Sequence, residues 1–308
     1  MEDKKTSFFV RLGKDIKKNK GLYIMLIPMI VYLFIFNYIP MYGVIIAFKD
    51  FKPRLGILGS DWVGLKYFKE FWSSAYFGRT LKNTLALSIY GLLFNFWVPI
   101  VFAILLNEVQ NLRFKKTIQT ITYLPHFITT VIVSSLVITF TDSNGAITEI
   151  VNSLTGHVGS LIVDKDYFRA IYTVSGMWQS FGWGSIIYLA AMGGINPELY
   201  EAARVDGANK FRQIIHVTIP GILPTVVIML ILAIGGLLSV GWEKAFLLQT
   251  PLTYDTSDII STYVYRKGFE EIDYSYSAAV GLFNTVINLI LLISANKISN
   301  KVTETGLF

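Results

Sequence analysis

The stretch NPELYEAARVDGANKFRQIIHVTIP, residues 196–220, decides how this chain is read. It is polar, and it lies between two apolar segments that are each long enough to cross a bilayer. Asn196 is a good N-cap and Pro197 suits the first helical position. Glu198 and Glu201 stand in the first turns, where the helix dipole favours negative charge. The pattern predicts a helix from Pro197 to about Asp206, ended by Gly207 at a left-handed position. A second helix is predicted after Asn209, with Phe211, Ile214, Ile215 and Thr218 on one face and Lys210, Arg212, Gln213 and His216 on the other. Pro220 marks the end of that helix or a kink. On pattern alone, two readings stand side by side. The stretch is either a surface device presenting acidic and small residues outward or an ordinary capped helix in a loop between spans.

Working outward, the composition fits a membrane protein. Of 308 residues, 53% are hydrophobic, and the mean hydropathy of +0.51 is too high for an ordinary soluble domain. With no cysteine there is no disulfide framework, thiolate metal site or cysteine nucleophile. His126, His157 and His216 are scattered without metal-ligand spacing, so no metal site is expected. The net charge of +6 fits cytoplasmic loops beside an anionic leaflet better than a nucleic-acid partner.

Apolar stretches free of acids and strong bases run over about 21–48, 83–107, 117–141 (which includes His126), 170–195, 221–242 and 274–296. Read as six spans, they predict an all-α polytopic membrane bundle over 21–298, because helices satisfy their own backbone in lipid. Residues 1–20 are basic and carry Phe9, Leu12 and Ile16 at helical spacing, which suits an interfacial helix or an unstructured basic segment at the cytoplasmic surface. Arg113, Lys115 and Lys116 in the 108–116 loop, and Lys297 and Lys301 near the tail 299–308, put those segments and both termini in the cytoplasm. The segments 142–169 and 243–273 are richer in acids and suit the outside. The segment 49–82 is assigned there too, against its own excess of Lys and Arg. Residues 196–220 are then cytoplasmic.

The predicted spans contain no Asp, Glu, Lys or Arg, which argues against proton- or sodium-coupled transport and against a membrane hydrolase, so no catalytic residue is expected. No GxxxxGK[ST] sequence is present, so ATP would have to be used by another subunit. Asn95, Trp178, Gln179, Trp183, Tyr188, Asn284 and Asn288 are the candidates for a substrate path. Amides offer donors and acceptors to hydroxyls, and rings stack on the C–H faces of sugars. Each of them alone is as easily helix glue or part of an interface belt. The acidic and aromatic segment 269–277 reads as a solvated loop or, less readily, as a contact for an outside partner.

Glu201-Ala202-Ala203, then Gly207 after three residues, then Val217, Ile219 and Pro220 resemble the EAA motif of ABC importer permeases. The usual form is EAA, three residues, G, nine residues, I, any residue, LP. Val217 and Ile219 are conservative replacements. Further segments, YLPHFI (123–128), SNGAI (143–147), residues 177–208, TYVYRKG (262–268) and residues 274–292, resemble the LplB-type branch of carbohydrate ABC importer permeases, as does WVGLKYFKEF (62–71) with Lys66 where Asn is commoner. The likeness covers nearly all of the chain after residue 20.

The resemblance implies a type I importer transmembrane domain, with a coupling helix docking into a cleft on a cytoplasmic ATPase. It implies Glu201, Ala202, Ala203, Asp206, Gly207 and Pro220 as the coupling residues. The implied partners are a second homologous permease, two ABC ATPase subunits holding ATP and Mg, and an extracytoplasmic solute-binding protein that delivers oligosaccharide. This chain would then carry no cofactor, and its place would be the plasma membrane of a bacterium. Two other functions remain open at this point. A stand-alone secondary transporter would need ionisable groups at membrane depth. A membrane enzyme acting on lipid-linked sugars would need an acid/base cluster, which only Glu270, Glu271 and Asp273 offer.

Overall fold

The computed structural model describes residues 15–303. Most of the basic segment 1–20, with Phe9 and Leu12, and residues 304–308 of the tail lie outside those described. The chain forms two units, divided after Lys66. In the first, a helical rod α1 (Lys20–Phe48) passes through a π turn at Phe34–Tyr38 and tightens to a 3-10 helix over Tyr42–Phe48. Leu22, Ile24, Met25 and Phe36 are all exposed, as expected of a helix whose apolar surface faces lipid or protein all round. Two-residue strands, β1 (Lys49–Asp50) and β2 (Asp61–Trp62), pair antiparallel with Lys49 opposite Trp62. Lys49 Nζ donates to the carbonyls of Ile57 and Ser60 at 2.7 and 3.1 Å, which closes this small loop.

The second unit is helical. It begins at Tyr67, one residue into α2 (Lys66–Ser73), which buries Tyr67 and Phe71. Ser74 caps α3 (Ala75–Asn107), which holds a π turn at Gly91–Phe96 around Asn95. The 117–141 segment is not one straight crossing. Helices α4 (Leu112–Phe127) and α5 (Thr130–Thr141) meet at 97°, where Pro125 tightens the chain to a 3-10 turn and Thr129 caps the next helix. After α6 (Ala146–Thr155) comes the 29-residue helix α7 (Lys165–Gly193). It packs closely on α4, since a Cβ at Gly182 would lie 2.1 Å from the Thr122 carbonyl oxygen. Leu199 and Tyr200 then fall in α8 (Pro197–Val205), with Asp206 as its cap.

The fifth segment differs from its expected bounds. α9 (Lys210–Gly235) does not begin after Pro220. It runs unbroken from the Asn209 cap through Pro220, because a π turn at Ile214–Thr218 gives the proline ring room. It stops at Gly235, not at Trp242, and residues 236–241 are unwound. The 243–273 segment carries helices of its own. α10 (Trp242–Leu248) buries Lys244, Ala245 and Leu248. α11 (Tyr254–Ser257) and α12 (Ile260–Tyr265) follow, with Asp258, Ile259 and Ile260 fully buried. The last helix, α13 (Tyr274–Thr303), carries helix into the start of the expected tail.

Among the described residues, four helices (α1, α3, α9 and α13) are long and apolar enough to cross a membrane, or five if α4 and α5 form one bent span. Helices outrun the apolar stretches at charged ends, as α3 does at Arg79 and α7 at Lys165.

Candidate functional site

Two regions carry the candidate residues. The first is the 196–220 stretch. The Asn196 side chain accepts a hydrogen bond from the Glu198 N–H at 3.0 Å and donates to its carboxylate at 3.1 Å, closing the first turn of α8. At the other end Gly207 adopts φ +76°, and the Ala208 N–H returns to the Ala203 carbonyl at 2.8 Å. A Cβ on Gly207 would meet nothing within 4 Å. The glycine is therefore required by its left-handed backbone and not by crowding.

The inner side of the corner is braced. Tyr200 Oη lies 3.0 Å from Thr218 Oγ1, Gln213 donates to the Ala208 carbonyl at 2.8 Å, and Lys210 pairs with Glu108 of the α3–α4 turn at 3.0 Å. The outer side is bare. Glu201, Ala202, Arg204, Asp206 and Pro220 are exposed and Ala203 is half-buried. Leu199, Val205 and Phe211 add apolar side chains that are 54%, 88% and 70% exposed. The result is a rigid corner whose free face mixes acidic, small and apolar residues.

The second region lies where residues 236–241 unwind. Their polar backbone is held by side chains from other helices: Asn288 accepts from the Leu238 N–H at 2.9 Å, Asn284 donates to its carbonyl at 3.4 Å, and Ser88 donates to the Leu237 carbonyl. Irregular backbone between apolar helices is tolerated where it is braced in this way and lines a cavity. Three cavities adjoin here. One of about 280 Å³ is lined by Asn95, Tyr172 and Gly241. A second, of about 310 Å³, is lined by Thr130, Tyr172, Gln179, Gly241, Trp242 and Lys244. The third, also about 280 Å³, is lined by Trp242, Tyr265 and Asn284. Oδ1 of Asn95 and Oδ1 of Asn284 are buried without a hydrogen-bond partner.

Of the seven sequence candidates for a substrate path, the structure thus gathers Asn95, Gln179 and Asn284 on these cavities. Gln179 also donates to the Ile128 carbonyl freed at the α4–α5 bend, at 3.0 Å. The other four do not line these cavities. Asn288 is a brace for the unwound segment. Tyr188 is 3% exposed in an apolar cluster with Ile100 and Met192. Trp183 stacks on His126 at 4.5 Å. Trp178 lines a separate, almost wholly apolar cavity with Val133 and Phe140.

Sequence reasoning missed Lys244, which is only 8% exposed. Its Nζ donates to the Tyr172 carbonyl at 3.2 Å and lies 5.3 Å from the centre of that ring. Burial lowers its pKa from 10.5 to about 8. The signal in the sequence was the pair Gly235-Gly236, followed at Gly241 by a third glycine: helix-breaking residues set inside an apolar run. Two of the three acids considered for an enzyme have structural partners, since Glu271 pairs with Lys267 and Asp273 caps the turn at Tyr276.

Residues 95–304 match the model of the family described as binding-protein-dependent transport system inner membrane component. The chain is 45% identical to Protein LplB of Bacillus subtilis over 95% of this chain and 92% of that protein. It is 42% identical to the polygalacturonan/rhamnogalacturonan transport system permease protein YteP of the same organism, over 97% and 93%. A solved bacterial alginate ABC transporter, in complex with an alginate pentasaccharide-bound periplasmic protein, has a chain that superimposes with a TM-score of 0.87 at 42% identity, over 96% of this chain and all of that one.

Proposed function

The chain belongs to the family of binding-protein-dependent transport system inner membrane components, a family of transport subunits and not of enzymes. From that premise we propose that it is a permease subunit of an ATP-driven importer for oligosaccharides in a bacterial plasma membrane. It forms half of a translocation pathway, beside a second homologous permease. Two ATPase subunits on the cytoplasmic side hold the ATP and Mg, and this chain holds no cofactor. An extracytoplasmic solute-binding protein delivers the sugar. Both termini are cytoplasmic, and the crossings number six. α7 is counted among them because it has no charged residue from Ala170 to Gly193.

One observation carries the coupling role: the Asn196-capped helix and its left-handed Gly207 corner are braced within and bare without. Small Ala202 and Ala203 let the helix enter a cleft, Glu201 is free to meet a basic group there, and Leu199 and Val205 supply apolar contact. Closure of the ATPase dimer moves this corner, and the π turn at Ile214–Thr218 passes the displacement into α9.

The test is purification of this chain in mild detergent from its native membrane. A second permease, a P-loop ATPase and a solute-binding protein are expected to come with it. A chain that purifies alone, again after cross-linking, would overturn the assignment. Gly207→Pro, which is incompatible with φ +76°, is expected to insert normally and to lose both the ATPase and uptake. Normal uptake in that variant would remove the coupling role.

A further inference from the structure

We propose that Lys244 is a specificity-determining residue of the transport path, binding the carboxylate of an acidic sugar as it passes the unwound segment of residues 236–241. This deepens the oligosaccharide reading above and rests on it. Lys244 forms no ion pair among the described residues, although it is 8% exposed. A buried ammonium without a counter-ion is a standing cost that a bound anion would offset. Its one hydrogen bond, to the Tyr172 carbonyl, leaves further donor positions free. Lys244 lines the 310 Å³ cavity with Thr130 and Gln179.

Gly176 brings Lys244 close to Asn95, which lines the adjoining 280 Å³ cavity. A Cβ built on Gly176 would lie 3.3 Å from Lys244 Nζ and 3.5 Å from Asn95 Nδ2. The lysine and the amide therefore face each other across a position that carries no side chain. Asn95 Oδ1, buried without a partner, is available to accept from a sugar hydroxyl in the adjoining cavity. Trp242, which lines the Lys244 cavity and the third one, is 45% exposed and offers a ring for a pyranose C–H face. Glu243, the one acid lining the Lys244 cavity, is exposed, so solvent screens it. The chemistry that fits is a uronate-containing oligosaccharide, held by a charge-assisted hydrogen bond that a neutral sugar is unable to form.

The experiment uses the intact importer, purified through this chain with its ATPase and binding protein and reconstituted in ATP-loaded vesicles. The probe is a hydrolysate of plant and algal polysaccharides in two forms, native and carboxyl-reduced, with accumulated sugars identified by mass spectrometry. Wild type is expected to favour the acidic sugars. Lys244→Met is expected to lower the acidic-to-reduced uptake ratio at least ten-fold, and Lys244→Arg to keep most of it. ATPase co-purification is expected to persist in both variants. Wild-type uptake without preference, or for the reduced sugars, would overturn the anion role and leave the oligosaccharide reading standing. An unchanged ratio in Lys244→Met, or a variant that no longer assembles while Lys244→Arg assembles but moves both forms equally, would make Lys244 a structural brace. Uptake of no sugar in either form would overturn both readings.

Discussion

At the scale of single residues, Lys244 makes a prediction whose sign follows from burial. Its pKa falls to about 8 from 10.5, so between those values the unfolded chain binds the proton and the folded chain does not. Stability therefore rises with pH through that window, and below about 8 the full cost of the buried charge is present. Lys244→Met removes that cost, worth at most about 3 kcal/mol, and loses the hydrogen bond to Tyr172, worth about 1 kcal/mol. The detergent-solubilised complex is expected to melt no lower than wild type at pH 7, with the difference shrinking above pH 8. A marked loss of melting temperature would instead assign the lysine to structure. Uptake of acidic sugar by the wild type is expected to decline as pH rises through 8, and not through 10.5. Gly182 makes a plainer case. A Cβ there meets backbone at 2.1 Å, so Gly182→Val is expected to abolish accumulation of the folded chain on a membrane blot, while Gly193→Ala, with open space around it, is expected to leave it unchanged. Residue identity was legible where it contrasted with its surroundings, as with the amide of Asn95 in an apolar run. Lys244 had no such contrast, because it stands just past the end of one.

Elements show why some boundaries were readable and others were not. The Asn196 cap, Pro197 and Gly207 act within a few residues of themselves, and the sequence placed α8 almost to its last residue. The 243–273 segment has no such local cause. Its shape depends on Asp258, which is fully buried and pairs with Arg79 at 3.0 Å and Arg266 at 2.7 Å, while Asn83 links its carbonyl to Arg169. Arg79 is 179 residues away in the chain, a distance that no periodicity spans. The same triad accounts for one of the cations that sit against the positive-inside rule in the 49–82 segment: Arg79 is neutralised by a buried carboxylate. Asp258→Asn leaves two guanidiniums beside a neutral amide, and removing one partner of a buried pair costs about 3–5 kcal/mol. The variant is expected to show a lower melting temperature in detergent with α8 still able to bind the ATPase. A melting temperature within error of wild type would mean that the arginines find water when the carboxylate is gone.

For the whole molecule, the arrangement of charge decides which energy source fits. The two ends of α3, some 50 Å apart by its helical rise, carry different polar devices: the buried Arg79–Asp258–Arg266 triad at one and Glu108 with Lys210 and the α8 corner at the other. Between them, the cavity-lining candidates are amides, rings and one lysine. A proton-driven carrier needs an acid or base that alternates between charged states with a partner to relay the proton. Lys244 has no carboxylate paired with it among the described residues, and its cavity supplies only the exposed Glu243. The α8 corner, by contrast, is rigid, exposed and continuous with α9 through a π turn, as a handle for an external motor would be. Uptake into cells or vesicles is therefore expected to survive an uncoupler that collapses the proton gradient, and to stop when ATP is depleted with the gradient kept intact. Both arms are read as accumulated labelled sugar against the same cells lacking this chain. Collapse under the uncoupler at constant ATP would contradict the coupling reading at its root, because it would place the driving force inside the bundle and leave the corner formed by Asn196, Glu201 and Gly207 without a task.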